Sequence, residues 1–345
     1  MIPAEETFKG TWPFTPQFSD ASGFRQHYVD EGPREAQVLI CLHGEPTWGY
    51  LYRNFIPRLS EQYRVIVPDH MGFGKSETPQ DRVYTMQTHV ENLERFIDDL
   101  NLDDITFVCQ DWGGLITGAY TIRHPERVKR VALMNTLFGY GGKVQNAHKS
   151  PWFEWIARHE EAGTLRGILG ELGSTVLSVM KILGFENSAA VDDTWIRAYS
   201  MPFPNRESCV GGIEFPLDVH YGRMMEYIMA GLATGNLDAV KAKSAMLAVG
   251  LEDHAIHPEN QISDFRALFP DAPLVTLPGV GHFCQEDAPE TLVTLIDQFV
   301  QSNPYRRQDL SSSKAQKSNQ CFVSLVLAAT PATALPLSTH GHARV

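Results

Sequence analysis

Val108-Cys109-Gln110-Asp111-Trp112-Gly113-Gly114 joins two unlike patterns. Ile105 to Cys109 is a short apolar run with β-branched residues, and Leu115 to His124 repeats with helical periodicity. Small residues stand two before Asp111 and two and three after it. A strained strand-to-helix turn needs that frame, because it lifts one side chain above the sheet and aims the next backbone N–H into the same space. The lifted residue here is an aspartate. A carboxylate so placed displaces a leaving group from carbon and forms an ester, which water then hydrolyses at the carboxyl carbon. The plainer reading, an acid capping the helix that starts near Trp112, is disfavoured by the frame and by the partners described below.

Working outward, similar apolar runs recur at Val38 to Leu42, Arg64 to Pro68, Arg130 to Met134, Ala245 to Val249 and Pro273 to Leu277, and Thr85 to Leu100 is another helical segment. Alternating strands and helices predict an α/β fold, a mostly parallel sheet flanked by helices. The rhythm stops after Met134, and the sequence stays helical or irregular to about Leu232, with Trp152, Trp155 and Trp195 in it. We read residues 1–136 as the first part of the core, 137–232 as an inserted helical cap and 233–305 as the second part of the core. Ligands of open parallel sheets bind beyond the carboxyl ends of the strands, so the chemistry is expected between sheet and cap. Residues 306–345 turn to Ser, Lys, Gln, Asn, Thr and Ala and read as a disordered tail. The apolar stretch Cys321 to Leu337, interrupted by Pro331 and Pro336, is shorter than the ~20 residues of a membrane span.

The chain has 345 residues, 43% hydrophobic and 20% charged, which is ordinary for a globular protein. Lys plus Arg total 29 against 41 for Asp plus Glu, a net charge of -12. Such a surface repels a phosphate backbone or an anionic membrane, so neither nucleic acid nor membrane is an expected partner. Cys41, Cys109, Cys209, Cys284 and Cys321 are odd in number and at no metal or redox spacing, and we read them as reduced thiols of a cytoplasmic protein. Met1 to Gly10 carries Glu5, Glu6 and Lys9 and does not read as a secretory signal.

Three further constellations fall where strands end. In Ile40-Cys41-Leu42-His43-Gly44-Glu45-Pro46 a Gly turn directs the Glu45 backbone N–H to the crevice. With the N–H of Trp112 it would form an oxyanion hole, while His43 reads as a satisfied core histidine. Val280-Gly281-His282-Phe283 follows the last strand, where this order of nucleophile, acid and histidine puts the base. Gly250-Leu251-Glu252-Asp253 offers the acid, and Asp253 is preferred over Glu252, which reads as a surface charge. His282 between Asp253 and a water would then be a general base. Gly74-Lys75-Ser76 imitates the end of a phosphate-binding loop, but Asp69 stands where that motif needs Gly. No nucleotide, other cofactor or metal is expected.

Together these motifs resemble those of the haloalkane dehalogenases, specifically the subfamily whose first loop reads His-Gly-Glu-Pro-Thr-Trp, as His43 to Trp48 does, followed by Gly-Tyr-Leu-Tyr-Arg at Gly49 to Arg53. The likeness runs from Tyr28 to Pro304, and Gln110 before Asp111 sets it apart from epoxide hydrolases, which usually carry His there. The resemblance implies an α/β-hydrolase fold. It also implies cleavage of a small halogenated alkane to alcohol, halide and proton through an alkyl-Asp111 ester, hydrolysed by water that His282 activates. A monomer is expected. In that family the leaving halide is held by the indole of the Trp after the nucleophile, here Trp112, and by a second donor. Other subfamilies supply that donor as Asn where Glu45 stands; this one takes it from a cap tryptophan. Phe153-Glu154-Trp155 is the best match, Trp152 the runner-up, and both could be packing residues. Ala198 to Pro204 also looks like the family's cap segment, which implies Phe203 as a pocket residue.

The nearest rival is an epoxide hydrolase, with Tyr199, Tyr221 or Tyr227 as acid; a β-lactone decarboxylase and a non-catalytic receptor stand further off. Cys284, two residues past His282, suggests sensitivity to thiol reagents.

Overall fold

The computed structural model describes residues 2–141 and 150–304. The reading of 306–345 as a disordered tail, with Cys321, lies outside them. Eight strands form one sheet: β1 (Gln17–Ser19), β2 (Gln26–Glu31), β3 (Val38–Leu42), β4 (Arg64–Pro68), β5 (Ile105–Gln110), β6 (Val128–Met134), β7 (Ser244–Glu252) and β8 (Leu274–Gly281). Their order across the sheet is β1-β2-β4-β3-β5-β6-β7-β8. The pairs from β4 to β8 are parallel, and only β1 with β2 and β2 with β4 run antiparallel. This is an α/β-hydrolase fold.

β5 is buried along its whole length, which suits a central parallel strand covered on both faces. The antiparallel strands β1 and β2 escaped the sequence reading because β2, Gln-His-Tyr-Val-Asp-Glu, lacks an apolar run. It is held inside partly by polar pairing, His27 Nδ1 lying 2.8 Å from Asp69 Oδ2.

The helices are α1 (Ile56–Leu59), α2 (Met86–Asp99), α3 (Trp112–Arg123), α4 (Pro151–Glu161), α5 (Leu165–Leu169), α6 (Leu172–Leu183), α7 (Asp193–Ser200), α8 (Val210–His220), α9 (Arg223–Thr234), α10 (Leu237–Lys241), α11 (Pro258–Leu268), α12 (Cys284–Asp287) and α13 (Pro289–Ser302). Thr85 caps α2, its side chain accepting from the Thr88 N–H. Helices α4 to α10 all fall between β6 and β7, and of these α9 packs on α2 and α3. No helix among the described residues is long and apolar enough to cross a membrane.

One consequence of the parallel order positions the site. The chain leaves β3 at His43, β5 at Asp111, β6 at Asn135, β7 at Asp253 and β8 at His282, so these residues share the carboxyl edge of five neighbouring strands.

Candidate active site

Asp111 takes φ +50° and ψ -125°, a backbone conformation costly for a non-glycine residue, at the junction of β5 and α3. Its neighbours make the turn possible. A Cβ on Gly113 would collide with the Leu42 carbonyl, one on Gly114 with Thr136, and one on Gly44 with the Asp111 carboxylate itself. The Asp111 carbonyl accepts from Thr136 Oγ1 at 2.5 Å.

The Asp111 carboxylate is 14% exposed. Its Oδ2 accepts from the Glu45 backbone N–H at 2.9 Å, and the Trp112 backbone N–H donates to the same carboxylate. Burial pushes the Asp111 pKa up, and the His282 charge and these two N–H donors offset that only in part. Oδ1 faces His282, whose Nε2 is 3.6 Å away.

His282 is 1% exposed, and its Nδ1–H donates to Asp253 Oδ2 at 3.0 Å. Glu252 faces solvent. Asp253 is wrapped in donors: Ala255 N and Ile256 N at 2.9 Å on Oδ1, Asn135 Nδ2 at 2.9 Å and Gln261 Nε2 at 2.8 Å on Oδ2. Gln110 Nε2 donates to the His282 carbonyl at 3.1 Å and lies 3.0 Å from its ring Nε2. Because the carbonyl can only accept, it holds the Gln110 amide as donor, and the ring Nε2 beside it is the nitrogen that carries the lone pair. Burial lowers the His282 pKa, but the charge and hydrogen bond of Asp253 and the charge of Asp111 outweigh it, and the net direction is up.

Asn135, Gln261 and Gln110 as partners of the acid and base were not read from sequence. Asn135 had one signal, an Asn directly after an apolar strand, where its tolerance of positive φ (here +42°) is useful. His43 is the core histidine expected, its Nε2 accepting from His70 N at 3.0 Å.

On the helical side, Trp112 stacks on Phe215 of α8 with ring centroids 4.2 Å apart. Phe215 stacks on Phe73 at 5.2 Å, and Phe203 meets Phe73 edge-on at 6.4 Å. Phe203 thus belongs to the aromatic layer that begins at Trp112, and Phe73 and Phe215 are the members that sequence reasoning did not single out. Trp155 is half-buried, stacks on buried Trp152 at 5.3 Å and meets His159 at 4.5 Å. The ring contacts of Trp155 therefore do not include Trp112.

The three tyrosines are engaged elsewhere. Tyr199 OH donates to Glu286 Oε1 at 2.5 Å, exposed Tyr221 donates to Glu160, and the Tyr227 ring lies under the Arg123 guanidinium at 4.0 Å. The expected thiol sensitivity at Cys284 needs correction: the side chain is fully buried and burial pushes its pKa well up, so it is neither accessible nor a thiolate.

Residues 37–289 match the family model described as alpha/beta hydrolase fold. A haloalkane dehalogenase of Psychrobacter cryohalolentis is 32% identical over 83% of this chain and 90% of its own length. A cis-3-alkyl-4-alkyloxetan-2-one decarboxylase of Xanthomonas campestris is 31% identical over 86% of this chain and 99% of its own. Among solved structures, a tetrameric haloalkane dehalogenase from Paraglaciecola agarilytica aligns with a TM-score of 0.67 at 27% identity, covering 84% of this chain and 95% of that one.

Proposed function

The chain belongs to the α/β-hydrolase fold family and, within it, to the haloalkane dehalogenase family, and on that premise we propose that it hydrolyses small halogenated alkanes to alcohol, halide and a proton through an ester on Asp111. The observation that carries the reading is the division of labour within one carboxylate: Oδ2 accepts from the Glu45 backbone N–H while Oδ1 is left facing His282.

Oδ1 attacks the carbon bearing the halogen, the new C–O bond forms as the carbon–halogen bond breaks, and the halide departs. The Trp112 indole N–H and that of a cap tryptophan, for which Trp155 is our choice over Trp152, donate to the leaving anion. Their benefit grows as charge develops, so it falls on the transition state. A water then loses its proton to His282 Nε2 and attacks Asp111 Cγ. The oxyanion forms on Oδ2, between the N–H groups of Glu45 and Trp112. Collapse expels the alkoxide, which takes the proton from His282 and leaves as the alcohol, and Asp111, regenerated as the acid, releases the remaining proton to solvent to restore the carboxylate. Asp253 holds the His282 ring in the reacting tautomer and balances its positive charge, a contribution of ~10²- to 10⁴-fold. Phe203 and Phe215 line the apolar space for the alkyl chain, under a cap bounded at 137–232. The same reading has the protein act as a monomer in the cytoplasm.

A second reading has one specific support, the similarity to an oxetan-2-one decarboxylase. The epoxide hydrolase loses ground because the hydroxyls of two of its tyrosine acids, Tyr199 and Tyr221, already donate to Glu286 and Glu160. One set of assays separates all three: bromide release from 1,2-dibromoethane and 1-bromobutane, diol from styrene oxide, and carbon dioxide from a cis-3,4-dialkyl oxetan-2-one. Bromide release that vanishes in Asp111→Ala, with label from ¹⁸O-water entering Asp111 in a single turnover, is the expected result. Diol or carbon dioxide without bromide overturns it.

A further inference from the structure

The cap is hydrogen-bonded to the two loops that carry the acid and the base. Helix α6 ends at Leu183, and Gly184 follows with φ +115°, so the chain turns sharply and runs on as Phe185-Glu186-Asn187. The Leu183 carbonyl accepts from His254 N at 3.0 Å, one residue after Asp253. The Gly184 carbonyl accepts from Phe283 N at 3.2 Å, one residue after His282. The Asp287 carboxylate then ties the same two pieces from the other side. Its Oδ2 accepts from Gly281 N at 2.8 Å, one residue before His282, and its Oδ1 accepts from Glu186 N at 3.0 Å and Asn187 N at 2.8 Å. Asn187 Nδ2 donates to the Glu286 carbonyl at 3.0 Å.

The approach is backbone on backbone. A Cβ at Gly184 would stand 2.6 Å from the Glu252 carbonyl oxygen and 3.0 Å from His282 N, and one at Gly281 would stand 2.5 Å from the Gly184 carbonyl oxygen. Beside it, Glu286 accepts from Trp195 Nε1 at 3.2 Å and from Tyr199, both on α7, and forms a two-pronged pair with Arg53. Two consecutive carboxylates, Glu286 and Asp287, therefore fasten the base loop to the cap.

We propose that the segment Leu183–Asn187 together with Asp287 positions His282 against Asp253, so that this clamp governs the ester-hydrolysis step and leaves the displacement step alone. This rests on the function proposed above. Displacement needs Asp111 and the halide donors, and none of the hydrogen bonds of the clamp reaches them. Hydrolysis needs the base aligned on a water, where a shift of about 1 Å costs on the order of 10²-fold. Gly184 and Asp287 are positioning residues; neither touches the reacting atoms.

The test uses the full-length protein and two readouts. With 1,2-dibromoethane, Asp287→Ala is expected to keep its single-turnover bromide release within about 2-fold while steady turnover falls on the order of 10- to 100-fold, and intact-mass spectrometry should find the alkyl adduct accumulating on the enzyme. Asp287→Asn, which keeps one acceptor oxygen, should fall between wild type and Asp287→Ala. Equal losses in both steps, or no accumulation, overturn the proposal. The second readout needs no substrate: in an NMR titration of the His282 ring, which faces the carboxylates of Asp253 and Asp111, the midpoint should drop in Asp287→Ala as the hold of Asp253 loosens. If wild type releases no bromide, the function fails, and the titration still decides the clamp: an unmoved midpoint overturns it.

Discussion

His282 Nε2 stands 3.6 Å from Asp111 Oδ1, beyond hydrogen-bond reach yet close enough to feel its charge. The gap leaves the Oδ1 lone pairs free for attack on carbon. It also leaves the base near the Asp111 carboxyl carbon, where a water must be activated after the ester has formed.

Ester hydrolysis should therefore rise with pH. The base works only when neutral, and in the alkyl-enzyme Asp111 is an uncharged ester, which leaves Asp253 as the carboxylate that holds the His282 pKa up against burial. The rate is expected to be low on the acid side, to climb as His282 loses its proton, and then to level off. In Asp253→Asn the midpoint should move down. Single-turnover pH profiles on a preformed alkyl-enzyme measure this, and a midpoint that Asp253→Asn leaves in place would refute the pairing.

The Glu45 side chain should be replaceable. It is 3% exposed, its Oε1 has no hydrogen-bond partner, and burial together with the charge of Asp111 pushes its pKa well up. A folded-state pKa above the unfolded value means the folded protein keeps a proton that the unfolded chain releases. Stability from this source is lost as pH rises from the unfolded value through the folded one. Glu45→Gln keeps the backbone N–H that donates to Asp111, so bromide release within about 3-fold of wild type, well under the ~10²-fold of a lost oxyanion donor, is expected. Melting curves from acid to alkaline pH should show the variant losing less stability on the alkaline side. A loss approaching ~10²-fold in activity would show that the carboxyl itself is needed.

Trp112→Phe keeps an aromatic ring against Phe215 and removes only the indole donor. Bromide release should fall on the order of 10²- to 10³-fold with little change in melting temperature. Trp155→Phe should behave alike, and Trp152→Phe should lose far less. The reverse order would move the second halide donor to Trp152.

Gly113→Ala should destabilise the fold, because its Cβ would collide with the Leu42 backbone carbonyl where α3 begins. Overpacking against backbone costs about 1–3 kcal/mol. Gly167→Ala, whose Cβ would meet nothing within 4 Å, is the control and should stay within about 0.5 kcal/mol of wild type. Denaturant midpoints compare the two, and equal midpoints would contradict the crowding at the elbow.

Much of the site was legible because each of its pieces is local. A strand, a crowded turn and a helix follow one another along the chain at Asp111, so spacing alone marks the elbow. The oxyanion turn at Glu45 and the late Gly281-His282 turn are readable for the same reason. β1 and β2 were not legible, since a strand whose buried positions include Gln26 and His27 carries no apolar signature. Nor was Phe215, which reads as one more aromatic on a helix until α8 lies over Trp112.

The sequence by itself determined the parallel α/β core, the carboxylate at its strained turn and the order in which the nucleophile, acid and base candidates occur. Only the tertiary structure decided which groups meet. Asp253 and Glu252 are adjacent in the chain, but one is buried against His282 and the other faces solvent. Gln110 reaches His282 across 172 positions, and the cap turn at Gly184 closes on the His282 loop. The reason is physical: a turn is specified by a few neighbouring residues, whereas a contact between strand ends depends on the sheet order and on the packing of the helices laid over it.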